Sequence, residues 1–431
     1  MNRWFNRRRV AQSLVLTISS FLFIWILIKY VHYVSDWQAA LQAEERDDWA
    51  EARQRLEACR FLWEYTAAWQ GAYARALRCV GELTRARQHL LQAERLGYDE
   101  RQVALEKALL RYAEGDRSVE AQLWTWYHQG GAQEAALIAA VLAPRLLSQF
   151  RLPEAGPVTA RWVELRPASA TAWKYRAQVL ERLHPNSPET VAAWREWSRR
   201  APADPLPRLG LARLLIQRRE QLDEAATLLQ QLLQDHPADE EARLLLAECH
   251  LLQGQADAAL SLLDALIHDN TQQGRAYWLR GRWYLQVGDL PQAISDLRRA
   301  VERDPSTPDN WYCLFQALQQ SGAPAEEVRQ AEEKWRRCDH DLRRAGQLAK
   351  RIGEQPWDPE LRRQLGELFL RNGQHTQGLR WLQSALEVQA DHHATHQTLA
   401  EYYEQQGRPE LAAPHRRYLD STVNRPSSTN R

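Results

Sequence analysis

The sequence predicts an all-α solenoid of about eleven helix pairs behind one amino-terminal transmembrane helix. Three observations predict it. Residues 10–28 carry no charge. From Pro167 onward, turn residues recur at a spacing of 34 or 35 through Pro202, Pro237, Thr271 and Pro305. Leu, Ala, Glu, Gln and Arg dominate the chain, with Gly and Pro at 19 each. That is the composition of helices, and β-branched runs of alternating polarity are scarce.

The amino terminus comes first. Arg3, Arg7, Arg8 and Arg9 stand in a short tail, 1–9, ahead of an anchor placed at 10–34. Its 19 uncharged residues would span roughly 28 Å as a helix, about the thickness of a hydrocarbon core. Trp25, Tyr30 and Tyr33 suit the interfacial belt, and acidic residues from Asp36 to Asp48 follow. The positive-inside rule then leaves the tail in the cytoplasm and carries the rest across the inner membrane, which in a bacterium means the periplasm. A cleaved signal peptide is the competing reading; the stretch KYVHYVSDW lacks a small-residue cleavage site. No second apolar run of this length follows.

Charge and cysteine usage exclude several classes. Lys+Arg 56 against Asp+Glu 55 leaves a formal charge of +1, so no whole-chain field draws in nucleic acid. Arg far outnumbers Lys, which suits persistent ion pairs as well as a GC-rich codon bias. The five cysteines include no C-x-x-C, which removes zinc-ribbon, thioredoxin-like and haem-attachment readings. A Cys59–Cys79 disulfide stays open outside the cytoplasm.

The repeats are looser over 36–166 and regular over 167–322. Between Gly274 and Pro305, Tyr277 leads to Gly281, Tyr284, Gly288-Asp289, Ala293, Leu297, Ala300 and Asp304-Pro305. Gly281 and Ala293 are small where two helices would cross. Gly288 ends the first helix, and Pro305 stops the second. Trp311 and Gly322 open the next unit. Gly81, Ala86 and Ala93 form a fair early one. Residues 323–356 read as a long charged helix acting as a spacer, 357–420 as a closing pair of repeats, and 421–431 as a disordered tail.

This order of aromatic, small and proline positions resembles the 34-residue tetratricopeptide (TPR) repeat. The ending LRNGQHTQGLRWLQSALEVQADHHATHQTLAEYYEQQGRPELAAPHRR is similar to one that recurs in bacterial TPR proteins, planctomycete-type ones in particular. The resemblance implies a right-handed superhelix whose first helices line an inner groove for a peptide or a partner helix. Carried over by position, the lining comprises Lys174, Gln178 and Arg182, then Leu209 and Arg213. Leu244, Glu248 and Leu252 follow, then Arg275, Trp278, Arg282 and Gln286, and last Tyr312, Gln316 and Gln320. The arginines could clamp acidic groups, and Trp278 and Tyr312 could supply anchoring area. Paired with carboxylates such as Glu248, the same residues would form only a solvated lining. The two-lysine clamp of chaperone-binding TPR domains is not matched.

The expected function is therefore that of a membrane-anchored, non-catalytic scaffold for protein partners. No Gly-rich phosphate loop, G-x-S-x-G elbow or H-E-x-x-H occurs, so no enzyme activity, cofactor, nucleic acid or small-molecule substrate is expected. A second reading, an accessory protein in metal or haem assembly of the envelope, rests on His392, His393 and His396 with His375 and His415. His392 and His396 are four apart and are the weak candidates for a metal pair.

Overall fold

A computed structural model describes residues 25, 27–269 and 274–423. Most of the anchor expected at 10–34 and residues 424–431 of the expected tail lie outside the described residues, while 421–423 end the last helix. Those described are helical throughout, without a strand, and hold no helix long and apolar enough to cross a membrane.

Local signals start and stop the helices. The prolines at 167, 202, 237 and 356 are each followed two residues later by a capping side chain. Ser169 accepts from the Ala172 amide, Asp204 from Leu206, Asp239 from Ala242, and Asp358 from Glu360 and Leu361. Each such cap stabilises its helix by about 1 kcal/mol. After Pro167, Pro305 and Pro356 the residue six positions on returns a hydrogen bond to the proline carbonyl. Trp173 donates to Pro167 O at 3.0 Å and Trp311 to Pro305 O at 2.9 Å. Arg362 donates to Pro356 O at 2.7 Å.

The chain forms two units. One comprises Met1–Leu146 with Glu154–Pro202, the other Leu147–Pro153 with Ala203–Arg431. The boundary near Pro202 falls inside the stretch 167–322 that the sequence reads as one regular run.

In the first unit, helix 27–45 packs on Trp49–Ala58 around Ala40, Leu56, Trp69, Tyr73 and Leu77. The helix Ala67–Cys79 is buried from Trp69 through Arg78, including two arginines. Arg75 pairs with Glu44 and with Glu106 at 2.7 Å, and Arg78 with Glu106 at 2.8 Å. Burial alone would lower the Arg75 pKa, but Glu106 and Glu44 reverse it and hold it above the ordinary value. Burial would likewise raise Glu106, yet Arg78 and Arg75 hold its carboxyl below the usual range. Trp162 donates to Asp47 at 3.0 Å, and Arg166 donates to Glu44 O at 3.2 Å. Cys59 and Cys79 are unpaired. Burial pushes the Cys79 thiol up to about 12, against the pull of Arg78.

The second unit stacks six helix pairs among the described residues, from Pro205–Arg218 with Leu222–Asp235 to His393–Gln405 with Pro409–Val423. Gly281 is small for the reason its position suggests: a Cβ there would lie 2.9 Å from Leu297 Cγ. Gly288 takes φ +85° at the end of its helix. Arg280 binds Asp296 through two nitrogens, at 2.7 and 2.8 Å, and Asp264 at 2.6 Å, tying three helices together. The helix Ala325–Glu354 runs unbroken for 30 residues.

The segment Leu147–Pro153 docks on the repeat pair Pro359–Arg371 and His375–Val388. Phe150, at φ +58°, packs its ring 4.6 Å from that of Trp381. Arg362, fully buried, donates to Gln149 O as well as to Ser384. Arg151 lies 4.5 Å above the Trp357 ring.

Candidate partner-binding face

Four first helices of the second unit follow one another: Pro205–Arg218, Glu240–Leu252, Gly274–Val287 and Pro308–Gln320. Each of the first three touches the next in this series, so residues one repeat apart can meet. Arg213 reaches Glu241 at 3.4 Å; Arg275 reaches Glu241 at 3.6 Å and Glu248 at 2.5 Å. The result is a ladder of alternating charge across three repeats. Arg213, Glu241 and Arg275 are each more than a third exposed or close to it, so solvent screens these pairs and they add little to stability. They remain able to exchange partners.

Beside the ladder the chemistry turns aromatic. The Arg282 guanidinium sits 4.2 Å over the Trp278 ring, and no carboxylate among the described residues pairs with it. Gln316 donates to the Tyr312 hydroxyl at 3.0 Å. Tyr312, 37% exposed, lies 5.0 Å from Trp335, and Phe315 stacks on Trp335 at 6.0 Å. Half-buried Trp278 also packs against two core clusters, one that includes Leu244 and one that includes Leu314.

Of the residues assigned to the groove by position, Arg213, Glu248, Arg275, Trp278, Arg282, Tyr312 and Gln316 all stand on these successive helices. Lys174 and Gln178 belong to the first unit, where the Lys174 ammonium lies 5.8 Å from the Tyr175 ring and 6.0 Å from Trp197. Two contributors were not evident from the sequence. Glu241 sits one turn ahead of the expected position, and Trp335 lies in a helix that reads as a charged spacer. The Tyr312 and Phe315 pair, three apart on one face, was the signal available for Trp335.

The histidines do not form a shared metal pair with His392. His392 Nδ1 meets Thr395 Oγ1 at 2.7 Å, while His396 Nδ1 meets His415 Nδ1 at 2.8 Å. No group of three or more potential ligands occurs among the described residues. His396 Nε2 lies 3.0 Å from Ala390 O and donates to it. In the neutral ring Nδ1 then accepts, and His415 supplies the proton between the two.

The geometry is that of a tetratricopeptide repeat. Models of that repeat match residues 218–282 and 278–341, and the chain carries TPR repeats there. Tetratricopeptide repeat protein 37 of Xenopus laevis is 32% identical over 88 residues, which are 20% of this chain and 6% of that protein. DnaJ homolog subfamily C member 3 of Gallus gallus is 31% identical over 102 residues, 24% of this chain and 20% of that protein. The chain thus matches a small part of either relative's length. Among solved structures, PilW, described as a type IV pilus biogenesis factor, is 19% identical with a TM-score of 0.41, covering 46% of this chain and 91% of PilW. MamA of Desulfovibrio magneticus RS-1 is 22% identical with a TM-score of 0.32, over 40% of this chain and 93% of MamA. These likenesses concern the fold alone.

Proposed function

We propose that this chain is a non-catalytic adaptor, held to a membrane by its amino terminus, that binds a protein segment on the first-helix face of 205–320. The observation that carries the reading is the run from the Arg213–Glu241–Arg275–Glu248 ladder to Arg282, Trp278 and exposed Tyr312. An acidic side chain can replace Glu241 or Glu248 as the partner of an arginine already in place. An apolar or aromatic residue can cover Tyr312. Side chains held by their neighbours lose less freedom on binding. The uncharged stretch 10–28 behind Arg3, Arg7, Arg8 and Arg9 supports an inner-membrane anchor with a cytoplasmic amino terminus and the repeats on the far side.

The test uses the full chain in its own membrane. A photo-crosslinking residue at position 316 is expected to give discrete protein adducts, lost in Arg275→Glu/Arg282→Glu. Absence of adducts at ample expression, or adducts indifferent to the double reversal, removes this face as the binding site. A tag after Arg431, probed with protease in intact and opened cells, reads the topology.

A further inference from the structure

The first unit carries a second unpartnered surface, far in sequence from the binding face. The short helix Arg60–Trp63 lies beside helix 27–45 and is pinned to it at two points. The Trp63 ring is 5.8 Å from Trp37, and the Phe61 ring is 6.2 Å from Tyr33. Tyr33 and Trp37 are one turn apart on one face, so Phe61 is the end that points back along the helix toward residue 28. Phe61 is 79% exposed and Tyr65 78%, above Trp25 and Val31 at 58%. Elsewhere the exposed apolar residues, such as Leu206, Leu342 and Trp357, are scattered, which is ordinary for a protein surface. Here they gather beside Lys29, 5.9 Å from the Trp25 ring, and the ion pair of Arg60 with Glu64 at 2.5 Å. Exposed aromatic rings next to a lysine are the composition of a membrane interface.

We propose that the 60–65 corner contacts lipid: Phe61 and Tyr65 enter the headgroup layer beside the anchoring helix and hold the first repeat pair against the membrane surface. The inference rests on the anchored reading above. If the span ends at residue 28, Tyr33 stands five residues beyond it, roughly 7.5 Å along a helix. The headgroup layer on each side of the hydrocarbon is about 5–8 Å deep. Phe61, in ring contact with Tyr33, therefore falls at headgroup depth, and helix 27–45 continues from that level without a break among the described residues. A second copy of this chain or another protein would also cover two aromatic rings. Neither would explain why the exposed Phe61 ring falls within one headgroup depth of the uncharged run. Trp25, Leu27, Ile28 and Val31 are exposed on the same approach, and lipid covers that continuous surface with one occupant.

The experiment places p-benzoylphenylalanine at position 61, at 65, or at 342 as an exposed control, in the full-length chain reconstituted into vesicles of phosphatidylcholine and phosphatidylglycerol. Irradiation followed by intact-mass measurement is expected to show a gain of one phospholipid at 61 and 65 and none at 342. Retention of the protein through an alkaline wash with no lipid adduct at 61 overturns the inference and leaves the anchor standing. Release of the protein by the wash overturns both. Protein-to-protein adducts at 61 in place of lipid, or equal lipid adducts at 61 and 342, also overturn it. The two positions are surface side chains, so their replacement leaves the fold intact.

Discussion

Glu106 neutralises two arginines that have almost no water around them, Arg75 and Arg78, with side chains 5% and 3% exposed. Glu106→Gln leaves Arg78 buried without a carboxylate and Arg75 with Glu44 alone, so the first unit should lose about 3–5 kcal/mol, read by urea unfolding. The same network sets an acid limit. Because the Glu106 pKa is depressed in the fold, its contribution is complete above the unfolded carboxylate value and is lost as pH falls through the folded one. His415 acts in a milder window. Burial first, and His396 second, lower its pKa, so the neutral form belongs to the fold. Stability of 393–423 should fall as pH drops below about 6.5, the ordinary imidazole value. Hydrogen exchange across that window should show the loosening in the native chain and a flatter response in His415→Gln. The abundance of arginine was legible as a sign of ion pairs, and Glu248 as one partner. Arg75 and Glu106 are 31 residues apart, and no local spacing marks such a pair.

Helix pairs were the most legible level, because their signals are local. A proline, a capping side chain two residues on and a donor six residues on mark a repeat start; the repeat at Pro167 has all three, through Ser169 and Trp173, and the one at Pro305 has the indole donor Trp311 without a side-chain cap at Thr307. Arginine takes the sixth position after Pro202, Pro237 and Pro356, and of these Arg362 donates to its proline carbonyl while Arg208 and Arg243 pair with Asp235 and Asp269. A guanidinium can serve the proline carbonyl and still reach Gln149 O and Ser384, where an indole has one donor. Glycine roles separate in the same way. A Cβ on Gly366 would lie 2.8 Å from Leu382 Cγ and 3.0 Å from Gly378 O, whereas one on Gly346 meets nothing within 4 Å. Gly366→Ala should therefore cost about 1–3 kcal/mol. Gly346→Ala, mid-helix and free of neighbours, should stabilise by about 0.5–1 kcal/mol. Paired urea melts would show the same chemical change with opposite signs.

At the scale of the molecule, the chain passes between its two units more than once. Leu147–Pro153 belongs with residues beyond Ala203, while Glu154–Pro202 returns to the first unit. Nothing in the 34-residue spacing announces this, because the repeat pattern describes neighbours and the docking of Phe150 on Trp381 is not between neighbours. A fragment of residues 203–431 should leave Arg362 without the Gln149 carbonyl and Trp381 without Phe150. Hydrogen exchange over 356–388 should be faster in that fragment than in the full chain, and a peptide covering 145–155 should restore the protection. Equal exchange in both would mean that the docked segment contributes nothing.

That same contact joins residues separated by 213 positions. A ribosome adding about 5–20 residues per second leaves an interval of roughly 10–40 s between the two. For that time Phe150 and its neighbours have been made but have no surface to rest on. The newborn chain must keep this stretch from sticking elsewhere, by export, by a chaperone or by speed, before the last repeats arrive to cover it.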